Sequence, residues 1–228
     1  MSFFDLRGFA DVGLSDSLAN KLRAQRFALF ASLVDQLPKP IRIIDVGGTL
    51  SYWQQRGWLS KDGVEITVVN RGAQEFVFEN VIVKDGNALD LSEYADGAFD
   101  VAYSNSVIEH LFSFENQSKM AAEVQRVARS YWIQTPNYWF PIEPHFHVPG
   151  WQWLPRSIRV ALLMRFRCGW RGPATDRKHA EDLVDEVRLM NKDELTRLFP
   201  NAILWREKIF GLTKSLVVYQ GFFNQVKS

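Results

Sequence analysis

One cysteine, Cys168, stands in 228 residues, so no internal disulfide can form and nothing points to an oxidising compartment. A surplus of charge is missing too. Lys and Arg total 27 against 26 Asp and Glu, a net +1, so no global field favours nucleic acid or a membrane. No window reaches the ~18 uncharged apolar residues that a spanning helix needs. The opening, MSFFDLRGFADVGLSD, has no apolar stretch behind a basic start. No secretory leader is expected, and the cytoplasm is the default location. Repeats and low-complexity tracts are absent as well. What is present is the composition of an ordinary globular chain, 46% hydrophobic and 23% charged. At this length it buries a core without a disulfide or metal staple, and residues 1–228 read as one domain.

Residues 1–14 look irregular. Ser15 or Asp16 can cap a helix running to Leu37, with Leu18, Leu22, Leu29 and Leu33 on one face, so residues 1–40 read as an N-terminal helical segment. Pro38 and Pro40 stop it. "IRIIDV" reads as the first strand, and "SYWQQRGW" opens the helix behind it. "VEITVVN" (64–70), "ENVIVKDG" (79–86) and "FDVAYSNS" (99–106) are further strands. "KMAAEVQRVAR" (119–129) is a helix, and "SYWIQTPN" (130–137) the fifth strand. About 138 to 187 reads as irregular. Asn191 and Glu194 in "NKDELTRLF" resemble a capping box. "AILWREKIF" and "KSLVVYQGFF", with Gly211 between them, close the chain as an antiparallel pair. Strands alternating with helices predict an α/β fold: a doubly wound, Rossmann-like sheet, mostly parallel, with an antiparallel C-terminal strand and helices on both faces.

In such a sheet, ligands sit at the carboxyl ends of the strands. Gly47 and Gly48 lie there after the first strand, where glycine lets a ligand approach the backbone. Asp45 just before them can bind an ammonium or an N–H. The second strand ends at Asn70, about where such folds place a ribose-binding side chain. The third runs out into Asp85-Gly86-Asn87-Ala88, a polar turn suited to a purine edge. The glycine pair alone is a weak signal; the three strand ends in order are a stronger one.

With these blocks in view, the chain from about Ile41 onward resembles a class I S-adenosylmethionine-dependent methyltransferase of the small type-11 kind. The resemblance rests on "IDVGG", "VVN", "DGNALDL", "FDVAYSNSVIEHL" and the closing "LF..A.ILWRE…SLVVYQ", of which the fourth is the most specific. It implies S-adenosylmethionine as cofactor. Asp45, Gly47 and Gly48 would then hold its methionine part, with Thr49 at the usual third small position. Asn70 would stand where the family commonly has a ribose-binding acid, and Asn87 beside Ala88 where it has the adenine-side acid. Ser104 and Asn105 would face the methyl donor. It also implies that residues 138–190 form a cap over the acceptor pocket.

Methyl transfer from a sulfonium is an in-line displacement, and a hydroxyl acceptor must lose its proton. His110 follows the fourth strand, near the expected methyl, with Glu109 beside it. Both also suit capping and anchoring the helix after the fourth strand, Glu109 more than His110. "PIEPHFHVPGW" adds Glu143, His145 and His147, and a strand would point both imidazoles to one side. His145 is the third catalytic candidate, over the pocket and against the acceptor. Some family members hold a divalent metal through E-x-x-E-H after the fourth strand, with a later histidine. Here the block reads Ser106-Val107-Ile108-Glu109-His110, without the first carboxylate, and no metal is assigned. Glu109, His110 and His145 would still leave three ligands and an open position.

Residues 144–175 contain no acid and no lysine, but five arginines among Trp151, Trp153 and Trp170. That suits an anionic, glycosyl or lipid-linked acceptor, so a small-molecule, glycan or lipid-linked acceptor is expected, with peripheral membrane contact as a further expectation. A packed lid with solvated arginines explains it as well. Three other functions compete with this reading. A non-catalytic S-adenosylmethionine-binding module would fit Asn70, Asn87 and Thr49. A nicotinamide oxidoreductase needs G-x-G-x-x-G, and "GGTLSYW" lacks it. RNA methylation finds no basic surplus or appendage. The oligomeric state is not legible.

Overall fold

A computed structural model describes residues 18–222. Ser15 and Asp16, the expected helix cap, lie outside them. The first described element is α1 (Leu18–Val34). Of the expected leucine face, Leu33 is buried and Leu29 packs half-buried against the core, while Phe27, Phe30 and Val34 complete the buried face.

Then come β1 (Ile41–Val46), α2 (Leu50–Gln55), β2 (Val64–Asn70), β3 (Phe76–Phe78), β4 (Val81–Asp85) and β5 (Phe99–Asn105). After a 3₁₀ turn at Ile108–His110 follow α3 (Phe114–Val127) and β6 (Ala128–Pro136). A second 3₁₀ turn, Trp151–Trp153, leads into α4 (Arg156–Arg165) and α5 (Arg177–Asp185). Last are α6 (Lys192–Leu198), β7 (Ile203–Ile209) and β8 (Leu212–Gln220). The region read as irregular therefore holds two helices. The Asn191–Glu194 capping box is formed in full at the start of α6.

The strands make one eight-stranded sheet in the order β3-β4-β2-β1-β5-β6-β8-β7. β4, β2, β1, β5 and β6 run parallel, while β8 is antiparallel to both β6 and β7. The short edge strand β3 was not anticipated; it pairs antiparallel with β4, and its three residues are exposed. This is the expected Rossmann-like α/β sheet. The buried runs of β1 and β2, BeBBBB and BeBBBBi, follow from cover on both faces.

One face packs α1 and α2 through Phe27, Phe30, Trp53 and Trp58 against Tyr103 and Trp132 of the sheet. The other packs α3 and α6 through Met120, Val124 and Leu195. A third cluster lies wholly within the 138–190 segment: Phe146 stacks on Trp151 at 4.2 Å between centroids, with Leu163, Cys168 and Val184 around them. The cap segment thus carries a small core of its own. No helix among the described residues is long and apolar enough to cross a membrane.

Candidate functional site

Parallel pairing puts the carboxyl ends of β1, β2, β4, β5 and β6 on one edge of the sheet. β1 leaves through Gly47, whose φ is +81°, a left-handed value that costs most side chains energy. A Cβ there would stand 2.5 Å from Val107 Cγ1. Gly48 is tighter still: its Cβ would fall 1.7 Å from Asp45 Oδ2. Thr49 caps α2 by accepting from the Tyr52 N–H. The glycine pair therefore wraps the backbone around the Asp45 carboxylate.

Asp45 is buried, and Trp53 Nε1–H donates to its Oδ2 at 2.7 Å. Its Oδ1 has no partner among the described residues. Burial pushes its pKa up to about 7, with the indole N–H acting the other way. An unpartnered carboxylate oxygen beside a glycine turn fits the ammonium of a methionine end. Trp53 was not anticipated in this role; its place in the helix behind the glycines was the only signal.

The remaining cofactor candidates fall on the same edge, several with committed side chains. Asn70 Nδ2 donates to the Gly48 carbonyl at 3.0 Å, bracing the loop. Asn87 is exposed and accepts the Leu89 N–H through Oδ1 at 3.1 Å, with Ala88 half-buried behind it. Ser104, expected to face the methyl donor, is fully buried and donates to Val46 O at 2.9 Å, tying β5 to β1. Its neighbour Asn105 accepts from Arg26 Nη2 at 2.9 Å. Arg26 in turn pairs with buried Glu207 at 3.0 Å, which binds α1 to the far edge of the sheet.

The histidines meet in space. His110, just beyond β5, and His145, from the segment after β6, face each other through Nε2 atoms 3.1 Å apart. His145 Nδ1 lies 2.5 Å from Glu143 Oε1, and Glu143 Oε2 accepts the backbone N–H groups of His145 and Phe146. Glu109 is fully buried; its Oε2 accepts from Thr135 Oγ1 at 3.0 Å and its Oε1 has no partner among the described residues. Burial raises Glu109 to about 7. Burial, then the charge of His145, lowers His110 to about 4. Burial alone would lower His145, but the bond and charge of Glu143 outweigh it, and the net shift is upward.

His147 does not share a side with His145. Its φ is +51°, the segment is not a strand, and its ring stands 5.6 Å from Trp170. The arginines of the cap are less free than the sequence implied. Arg156 makes a two-pronged pair with Asp185 at 2.9 and 2.6 Å, and Arg171 meets Glu186 at 2.8 Å. The acids sit just outside the acid-free window, so a linear reading misses them. Beside the cluster lies a cavity of about 490 Å³ walled by Tyr138, Trp139, Trp151, Arg159 and Arg188, with Glu143 at its boundary.

Residues 46–131, from the end of β1 to the first half of β6, match the family model of a methyltransferase domain. Two uncharacterized proteins of Mycobacterium tuberculosis are 29% identical over 125 residues, covering 50% of this chain and 42% of theirs. The chain thus spans under half the length of the curated relatives it matches. Among solved structures, the CurJ carbon methyltransferase superposes with a TM-score of 0.56 at 14% identity, over 90% of this chain and 55% of that one. At that identity the likeness shows the fold alone.

Proposed function

We propose that this chain is a class I S-adenosylmethionine-dependent methyltransferase and that it methylates a hydroxyl or amine of a small-molecule or sugar-bearing acceptor held under the 138–190 segment. The observation that carries the acceptor side of this reading is the facing pair of imidazole Nε2 atoms beyond β5, backed by Glu143. When bound, S-adenosylmethionine supplies the methyl group from its sulfonium. Asp45, at the turn formed by Gly47 and Gly48, receives the ammonium. Asn70 offers Oδ1 to the ribose, and the Asn87–Ala88 turn stands at the base position.

His145 is held by Glu143 with Nδ1–H as the donor, which leaves a lone pair on Nε2. His110 stays neutral at physiological pH, so one of the two facing nitrogens can take the acceptor's proton. Aromatic walls with arginines between them suit a polyhydroxyl acceptor, stacking on its apolar faces and bonding its rim. That favours a glycan or lipid-linked sugar over a nucleic acid, which the net charge of +1 also disfavours. The cytoplasm is the proposed location.

The test is transfer of labelled methyl from S-adenosylmethionine to a panel of sugars, lipid-linked sugars, small amines and RNA. Label in a sugar or small-amine fraction, lost in His145→Ala while cofactor binding is kept, is the expected result. Label confined to RNA would overturn it.

A further inference from the structure

We infer that Glu109, His110 and His145 form a binding site for one first-row divalent metal ion of the zinc type, with Glu143 as the outer carboxylate that orients His145. One ligand atom from each of the three residues lies within 4.8 Å of the others. The two Nε2 atoms are 3.1 Å apart with their rings perpendicular, at a centroid distance of 4.8 Å. Two Zn–N bonds of ~2.0–2.1 Å at a tetrahedral angle place their nitrogens about 3.3 Å apart. Little movement is therefore needed to seat an ion between them.

Three further features belong to a metal centre more than to a plain pair of hydrogen-bonded rings. Glu143 holds Nδ1 of His145, and is itself fixed by two backbone N–H groups, so Nε2 is aimed at the cluster with its lone pair outward. Glu186 stands 3.8 Å from Nδ1 of His110, giving the second imidazole a carboxylate behind it too. Glu109 is fully buried, yet its Oε1 is left without a partner among the described residues. A buried carboxylate oxygen without a donor is costly, and a cation removes the cost. Two imidazoles and one carboxylate suit zinc, cobalt, nickel or iron better than magnesium, which prefers oxygen ligands. Three protein ligands leave an open position, where an acceptor hydroxyl or water fits.

The inference deepens the reading of the acceptor side, since an ion at the Nε2 atoms would lower the pKa of an acceptor hydroxyl in place of a histidine base. It is nevertheless measured without cofactor or acceptor, so its failure and the failure of the methyl-transfer reading are separate events. The experiment is titration of the chelator-treated, tag-free full chain with Co²⁺, read by visible absorption, and with Zn²⁺, read by calorimetry. One ion per chain is expected, with at least a tenfold loss of affinity in Glu109→Gln and in His145→Ala. Glu143→Gln should weaken binding ~10–100-fold, because it disturbs only the orientation of a ligand. His179→Ala, which alters an exposed histidine bonded to Thr175, should bind normally. Circular dichroism shows whether each variant is folded. No binding to the folded wild type, or equal binding by a folded His110→Ala/His145→Ala double variant, would overturn the site.

Discussion

Replacing Gly48 by alanine tests the geometry of the cofactor corner at its tightest point. The new Cβ would stand 1.7 Å from Asp45 Oδ2, the oxygen that Trp53 Nε1–H holds at 2.7 Å. The carboxylate belongs to a short, buried side chain and cannot swing into solvent. It must turn away, and the indole bond goes with it. Losing a hydrogen bond to a charged group costs about 1.5–3 kcal/mol, and pushing an extra carbon into a packed site adds to that. The expected loss is about 3–5 kcal/mol, or roughly 6–20 °C in Tm for a domain of this size. Gly57→Ala is the control. Gly57, unlike Gly48, has a positive φ, +69°, but nothing lies within 4 Å of its Cβ, so only the backbone cost of ~1 kcal/mol applies. Thermal unfolding of the three proteins, with S-adenosylmethionine titrated into each, reads both quantities. Gly48→Ala should lose more stability than Gly57→Ala and bind cofactor at least tenfold more weakly. A Gly48→Ala protein as stable as wild type, with unchanged Kd, would refute the reasoning.

Asp45 also makes stability depend on pH. Its folded pKa is about 7 against an unfolded value near 3.8, so the unfolded chain gives up its proton first as pH rises. Stability therefore falls between about pH 4 and pH 7 and is flat above. Asp45→Asn should flatten part of that slope in thermal scans at pH 5 and 8, with Glu109, raised for the same reason, keeping the remainder. An unchanged slope in Asp45→Asn would contradict the placement of Asp45. Among the described residues, Arg26→Ala leaves buried Glu207 with only Lys214, at 3.7 Å, and should cost about 3 kcal/mol in urea unfolding. Adding Glu207→Gln should recover much of it, and a double variant no better than the single would be against the pairing. Asn191→Ala removes one half of the capping box of α6 and should cost about 1 kcal/mol by the same assay.

How far the sequence could be read depended on the range of the interactions involved. The sheet and the glycine corner were legible because their signals are local: apolar runs with one period, and Asp45 two residues from Gly47. The capping box at Asn191 was legible for the same reason. The bonds that give the site its character join distant positions. Glu109 meets Thr135, Asp45 is held by Trp53, and His110 faces His145 and Glu186. No spacing rule predicts such meetings, because they depend on how segments far apart in sequence pack together. Ser104 shows the converse. Its place at a strand end was right, but period-two alternation turned its hydroxyl onto Val46. The cap misled most, because counting charges between residues 144 and 175 left out Asp185 and Glu186, which neutralise Arg156 and Arg171 in space.

The most direct test of the central claim is calorimetric titration of the purified chain with S-adenosylmethionine and with S-adenosylhomocysteine, repeated on Gly47→Val. At position 47 a valine meets both a left-handed backbone and Val107 at 2.5 Å from its Cβ. Binding of both ligands to the wild type, with neither bound by a folded Gly47→Val, is the result predicted for a cofactor seated at the glycine turn. A folded wild type that binds neither ligand, or a Gly47→Val that binds both as well as the wild type, would contradict it.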